Sequence, residues 1–182
     1  EEVEGKFLET DDFYIKAESM SHGIPCNAYT FVKKDRIRID KAKLKKTKLE
    51  GPILKKLKEG KDVTYDGKKY LAKNLTYKET GRKVSFVFDT SFNSRIIPFV
   101  ENSDLLICES TFDADMEEKA GEYKHLTAKQ TAEIAKKSKS KKLVLTHISQ
   151  RYNQNLKKIL DSAKKGFKDS VLVRDLDVLE VK

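Results

Sequence analysis

Apolar and polar positions alternate with a period of two through most of the first thirty-three residues. The runs at 7–10, 13–18 and 28–32, rich in Phe, Tyr, Ile and Val, predict three strands. The pattern then breaks. "KKDRIRIDKAKLKKTKLEGPILKKLKEGKDVTYDGKKY" (33–70) is crowded with lysine, has a break at Gly51-Pro52 and carries a turn signal at Asp66-Gly67. Its large apolar residues are too few for a core segment. It reads as an inserted arm, two short helical pieces on a strand-like stalk. From Val84 the text becomes strand–helix alternation. "VSFVFD" (84–89), "DLLICES" (104–110) and "KLVLTH" (142–147) predict strands, the second with the near-continuous apolar run of a buried strand. "SRIIPFVEN" (94–102), "DADMEEKAGEY" and "NLKKILDSAKKGF" (155–167) predict helices. Thr127-x-x-Gln130 is a capping box that opens another helix, running to about Lys137. "SVLVRDLDVLEV" is expected to close the chain with strand pairs. The alternation predicts an α/β layered architecture.

Composition narrows the class. In 182 residues, Lys+Arg outnumber Asp+Glu by 38 to 29, a net charge of +9. That balance favours phosphate-rich partners, although a Lys/Glu-rich, heat-adapted surface accounts for it equally well. Cys26 and Cys108 form no C-x-x-C pair, which suits a reducing compartment. No apolar run approaches ~18 residues and the N-terminus carries no signal-peptide pattern, so a soluble, cytoplasmic protein without membrane contact is expected. The opening text, which lacks Met, reads as strand, so a segment upstream is also expected.

The polar residues at element edges suggest chemistry. Asp89, Glu109 and His147 each follow an apolar strand, where ligands collect in α/β sheets. His22 follows the second run, and His125 stands just before the capped helix. Singly, such residues are usually turn formers, caps or surface side chains. Together they compose a donor set suited to a borderline metal such as zinc, although no H-x-H or H-E-x-x-H spacing is present.

Five ordered segments carry a resemblance. "SHGIPCNAY", "FDTSF", "CEST", "KHLTAKQ" and "LTHISQRY" together resemble ribonuclease Z, the tRNA 3′-processing endonucleases of the metallo-β-lactamase superfamily, across nearly the whole chain. The resemblance implies the C-terminal half of an αβ/βα sandwich over 1–182, with 33–70 as an inserted exosite arm that grips tRNA through Lys43, Lys45, Lys46, Gly51, Pro52, Lys55, Lys56 and Lys58. His22 and His147 would each ligate one of two zinc ions, and Asp89 would bridge them. His125 would be the acid that protonates the leaving 3′-oxygen, oriented by Glu109. Two zinc ions sharing a water would make hydroxide available near neutral pH. Precursor tRNA would be the substrate, and the complete enzyme a homodimer.

The sequence departs from the family pattern in places. The H-x-H-x-D-H loop is missing from these 182 residues, so the implied partner is an N-terminal half that carries it, in the same chain or a separate subunit, with little activity expected without it. The Gly before the bridging Asp is Phe88, the Arg after it is Ser91, the Gly-Tyr-Arg after His22 reads Ala28-Tyr29-Thr30, and the Asp before His22 is Ser21. Two other readings stay open: a non-catalytic RNA-binding subunit, and a different hydrolase of the same fold.

Overall fold

The computed structural model describes residues 3–181. They fall into two compact units, one running up to Lys33 and resuming at Arg82, the other Lys34–Gly81. The first unit opens with an antiparallel meander of β1 (Gly5–Glu9), β2 (Phe13–Ser19) and β3 (Asn27–Lys33).

The second unit is built on the antiparallel pair β4 (Arg36–Ile39) and β7 (Thr76–Glu79). Between them, in chain order, come α1 (Lys41–Leu44), α2 (Ile53–Lys58), β5 (Val63–Tyr65), β6 (Lys68–Tyr70) and α3 (Ala72–Leu75). Asp40 caps α1 by accepting from the Ala42 and Lys43 N–H groups. Gly51, at φ 64, supplies the left-handed turn before Pro52 and α2. Asp66 and Gly67, both at positive φ, close the β5–β6 hairpin as a primed turn requires. Two expectations change here. The unit runs past residue 70 to Gly81, because β7 is the stalk strand that pairs back onto β4. It also has a core of its own, since Leu49, Leu57, Val63, Ala72 and Leu75 are buried together. Those residues are scattered among lysines, so no single window looks apolar.

The first unit resumes with β8 (Arg82–Val87), whose Arg82 lies opposite Lys33 of β3. There follow α4 (Ile96–Phe99), β9 (Leu105–Glu109), α5 (Glu117–Glu122), α6 (Ala128–Lys137), β10 (Leu143–Thr146), α7 (Leu156–Gly166) and β11 (Ser170–Leu172). The seven strands form one sheet in the order β1-β2-β3-β8-β9-β10-β11, parallel from β8 onward. Each parallel step needs a crossover, and the helical segments supply it. The Thr127–Gln130 capping box is present at the start of α6. Gly166 permits close approach of α7 to α6, since a Cβ there would stand 3.1 Å from that of Ala132.

Registered residues Val87, Cys108 and Leu145, with Leu106 and Leu143, face the helices and pack with Leu126, Ile134 and Ile159 in one core. The opposite face carries Ile15, Tyr29, Phe31, Val84, Phe86 and Ile107, all outside that core. Phe7 and Tyr29, in edge-to-face contact on this side, are 47% and 41% exposed. The expected terminal strand pairs reduce to β11 alone. Beyond Leu172 the chain turns at Leu176 (φ 72), and Leu176 and Val178 are exposed. No helix among the described residues is long and apolar enough to cross a membrane.

Asp104 staples three parallel strands at their amino ends. Its carboxylate accepts from the Lys83 N–H at 2.7 Å and from the Lys141 ammonium at 2.6 Å. Burial raises this carboxyl, but the Lys141 and Lys83 hydrogen bonds more than reverse that and hold it below the usual carboxylate range. A depressed folded-state value means stability that is present above the unfolded carboxylate pKa and lost as pH falls through the folded one. Asp104→Asn is therefore expected to cost about 1–2 kcal/mol at neutral pH. In urea titrations across pH, the gap to the parent should shrink below about pH 4; a gap unchanged by pH would contradict this role.

Candidate metal centre

The site lies at the carboxyl ends of the parallel strands. Beyond β8 the chain turns at Asp89 (φ 45), and beyond β10 at His147 (φ 51), so two non-glycine residues adopt left-handed backbone where their strands stop. Glu109 ends β9, with Thr146 in register beside it. His125 follows the turn after α5 at Lys124 (φ 56), and His22 follows β2.

These five side chains come to one rim. Ligand-type atoms of Asp89, His125 and His147 all lie within 4.8 Å of one another. Asp89 Oδ1 is 3.3 Å from His147 Nε2. The His125 ring stands between the other two imidazoles, 5.1 Å from His22 and 5.2 Å from His147 by ring centroid. His22 is therefore a neighbour of this threefold group and not part of it, while His125 is inside it.

Hydrogen bonding sets the tautomers. His125 Nδ1 lies 3.0 Å from a Glu109 carboxylate oxygen and His22 Nδ1 lies 3.0 Å from the Lys124 carbonyl, so each Nδ1 is the donor. His147 Nδ1 lies 2.9 Å from Thr111 Oγ1. The single Thr111 hydroxyl proton goes to an oxygen, Glu109 Oε2 at 2.7 Å or the His147 carbonyl at 3.0 Å, so His147 Nδ1 must donate as well. All three rings keep Nε2 for the rim.

The donor set fits a divalent cation. Asp89 Oδ1 is buried without a hydrogen-bond partner, and the atom it faces at 3.3 Å is a nitrogen whose lone pair is unprotonated in that tautomer. Two lone pairs so placed repel unless a positive charge lies near both. Imidazole and carboxylate donors, each ring backed by an oxygen acceptor, are what zinc-type sites use. Behind them, Glu109 is fully buried and accepts from Thr90 N–H (2.6 Å), Thr111 Oγ1 (2.7 Å), Leu126 N–H (3.1 Å) and His125. Thr90, Thr111 and the Lys124 carbonyl were not singled out from sequence. Thr111 was legible only as the second residue after Glu109 in "CEST", a spacing with no chemistry of its own.

Comparison with known proteins agrees with this geometry. No family model matches the chain. The chain is similar to a ribonuclease Z of Listeria monocytogenes, 37% identical over 191 aligned positions, which cover 100% of this chain and 61% of that relative. The resemblance to ribonuclease Z thus runs through the whole chain, while the chain spans 61% of the relative's length. Among solved structures, human tRNase Z, short form, superposes with a TM-score of 0.59 at 23% identity over 97% of this chain and 46% of that one. A metallo-beta-lactamase fold protein from Bacillus subtilis gives 0.58 at 22% identity, over 92% of this chain and 49% of that one. The fold is of the metallo-β-lactamase type.

If Thr111 fixes His147 for metal, Thr111→Val should lower zinc affinity about tenfold in calorimetric titration of the chain, as loss of such backing groups does elsewhere. Equal affinity for the two proteins would show that the Thr111 hydrogen bond is incidental.

Proposed function

We propose that this chain is the C-terminal part of a zinc-dependent endoribonuclease that removes the 3′ trailer from precursor tRNA. The observation that carries the reading is the Glu109–His125 pair set beside Asp89 and His147, in a chain 37% identical to a ribonuclease Z. In this reading His22, Asp89 and His147 would hold the metal, and His125 is the general acid. The groups behind the rings fix their orientation: Glu109 accepts from His125 Nδ1 and Thr111 Oγ1 meets His147 Nδ1, so both rings turn Nε2 to the rim.

Bound zinc would supply activated water and neutralise phosphate charge. This chain's residues then do the rest. Water gives up one proton to solvent and adds to phosphorus as the bond to the 3′-oxygen breaks, and His125, which must carry a proton on both nitrogens for this step, gives the one on Nε2 to that oxygen. The tRNA body leaves with a 3′-hydroxyl and the trailer with a 5′-phosphate. Glu109 holds the His125 ring in line throughout and is not itself a proton donor.

Two features support assembly with a segment that carries H-x-H-x-D-H. Three histidines are too few to fill two zinc sites, and the sheet face of Phe31, Val84 and Phe86 is only partly buried. The complete enzyme in this reading is a cytoplasmic homodimer. The Lys34–Gly81 unit is the tRNA grip. Lys43, Lys45, Lys46, Lys55, Lys56 and Lys58 are exposed around α1, the Gly51-Pro52 turn and α2. Only Lys43, 3.5 Å from Asp40, is in an ion pair among the described residues.

Cleavage of a 3′-extended precursor tRNA should appear when the chain is mixed with an H-x-H-x-D-H half, and His125→Ala should abolish it while leaving zinc affinity within a few-fold. Loss of zinc affinity in His125→Ala would make His125 a ligand instead of the acid. RNA binding without cleavage in every mixture would favour a non-catalytic RNA-binding subunit. Replacing Lys45, Lys46, Lys55 and Lys56 by Ala should flatten the salt dependence of RNA binding, by about 0.7–0.9 in log–log slope for each phosphate that is no longer neutralised. An unaltered slope would remove the grip from this unit.

A further inference from the structure

Beside His125 the first unit carries a ledge that neither metal binding nor proton transfer uses. The Phe112 ring lies 6.3 Å from the His125 ring and 6.4 Å from that of Tyr123. Phe112 is 5% exposed and pinned to the start of α6, its N–H donating to the Leu126 carbonyl and its own carbonyl accepting from the Ala128 N–H. Tyr123, in contrast, is 53% exposed. Its backbone N–H closes α5 onto the Lys119 carbonyl, so the helix end needs nothing from the side chain. Its hydroxyl has no hydrogen-bond partner among the described residues. Two cations lie over the rings: Lys119 Nζ is 5.6 Å from the centre of Tyr123, and Arg151 Cζ is 5.2 Å from the centre of Phe112, so a base would take the other face of Tyr123. Neither forms an ion pair among the described residues.

An exposed ring on a rigid aromatic base, with a cation over one face of Tyr123 and another over Phe112, has the chemistry of a nucleotide subsite. The base stacks on the ring and the phosphates meet the cations. The position of the acid says which nucleotide. His125 must touch the 3′-oxygen that leaves, so the sugar bearing that oxygen stands on the His125 side of the rim. Phe112 packs against His125 and Tyr123 against Phe112, so the base on that sugar is the one nearest this ledge.

We propose that Tyr123, with Phe112 behind it, stacks the base of the nucleotide whose 3′-oxygen leaves, the last nucleotide of the tRNA body; this rests on the ribonuclease reading above. Tyr123 acts as a positioning residue. It holds the leaving nucleoside so that its 3′-oxygen faces His125 Nε2. Stacking accepts any base, so the subsite fixes the place of the cut without reading the base there.

The test pairs protein and RNA changes in one cycle. A 3′-extended precursor tRNA, and the same RNA made abasic at the last body nucleotide, are bound to the parent chain, Tyr123→Ala and Tyr123→Phe, and affinities are read by fluorescence anisotropy. Tyr123→Ala should weaken binding of the intact RNA roughly tenfold, and Tyr123→Phe should restore it. The abasic RNA should cost the parent a similar factor and cost Tyr123→Ala nothing further. 2-Aminopurine at that nucleotide should be quenched by the parent and not by Tyr123→Ala. An abasic penalty that persists in Tyr123→Ala, or quenching confined to a probe in the trailer, overturns the assignment even if a variant folds poorly, because the parent alone reports the abasic penalty and the probe position. RNA bound tightly and salt-dependently without these effects sinks the platform and leaves the ribonuclease reading standing. No RNA binding by the parent sinks both.

Discussion

A buried carboxylate organises this molecule's site. Glu109 is fully excluded from solvent, and burying an ionised carboxylate costs several kcal/mol unless donors replace the lost water. Four donors do so here, from three separate stretches: Thr90 after β8, Thr111 after β9, and His125 with Leu126 before α6. The compensation works in both directions. Glu109 is tolerable only because those loops converge on it, and each loop contributes a donor that replaces the water this carboxylate has lost. Asp89 is one residue from Thr90, and Thr111 holds His147. The spacing of the rim groups is thus inherited from how one side chain is solvated by protein.

That constraint also explains the strained backbone. Asp89 and His147 sit at φ 45 and 51, where side chains with a Cβ are disfavoured by roughly 1–2 kcal/mol each. A strand continued in β geometry would send the next side chain to one face of the sheet. The left-handed turn directs it over the strand end instead, so Asp89 and His147 meet across neighbouring strands at 3.3 Å. The sheet register and the Glu109 network over-determine these positions, which is how such conformations persist.

Much of this was legible in the chain. β9 and β10 announce themselves as short apolar runs, and α6 as a capping box, because those signals are local and each is set by burial or by a terminal hydrogen bond. The five rim residues stood out for the same reason, as ionisable groups at element edges. What was not legible depends on pairings distant in sequence. The stalk of the second unit closes only when Arg36 meets Glu79, and nothing in the text around Tyr70 predicts that return. The tail after Leu172 alternates like a strand but pairs with none among the described residues. The tautomers of His22, His125 and His147 follow from a carbonyl, a carboxylate and a hydroxyl that no spacing rule connects to them. That His125 stands inside the threefold donor group, with His22 beside it, is a fact of packing alone.

The rim and the partly buried sheet face are linked by alternation. Glu109 lies in β9 on the same side as Ile107, which belongs to that face and not to the helix-side core. In the proposed reading, a segment that covers Phe31, Val84 and Phe86 therefore arrives on the side from which Glu109 supports His125, and the ligands it brings complete coordination begun by Asp89 and His147. On that reading metal and segment would bind cooperatively. A cation held by donors from both sides stabilises the assembled state over the separate parts in proportion to its differential affinity. Desolvation of the apolar face supplies association without specificity. The shared ions would supply the register, because the Nε2 atoms of this chain are already fixed by Glu109, Thr111 and the Lys124 carbonyl.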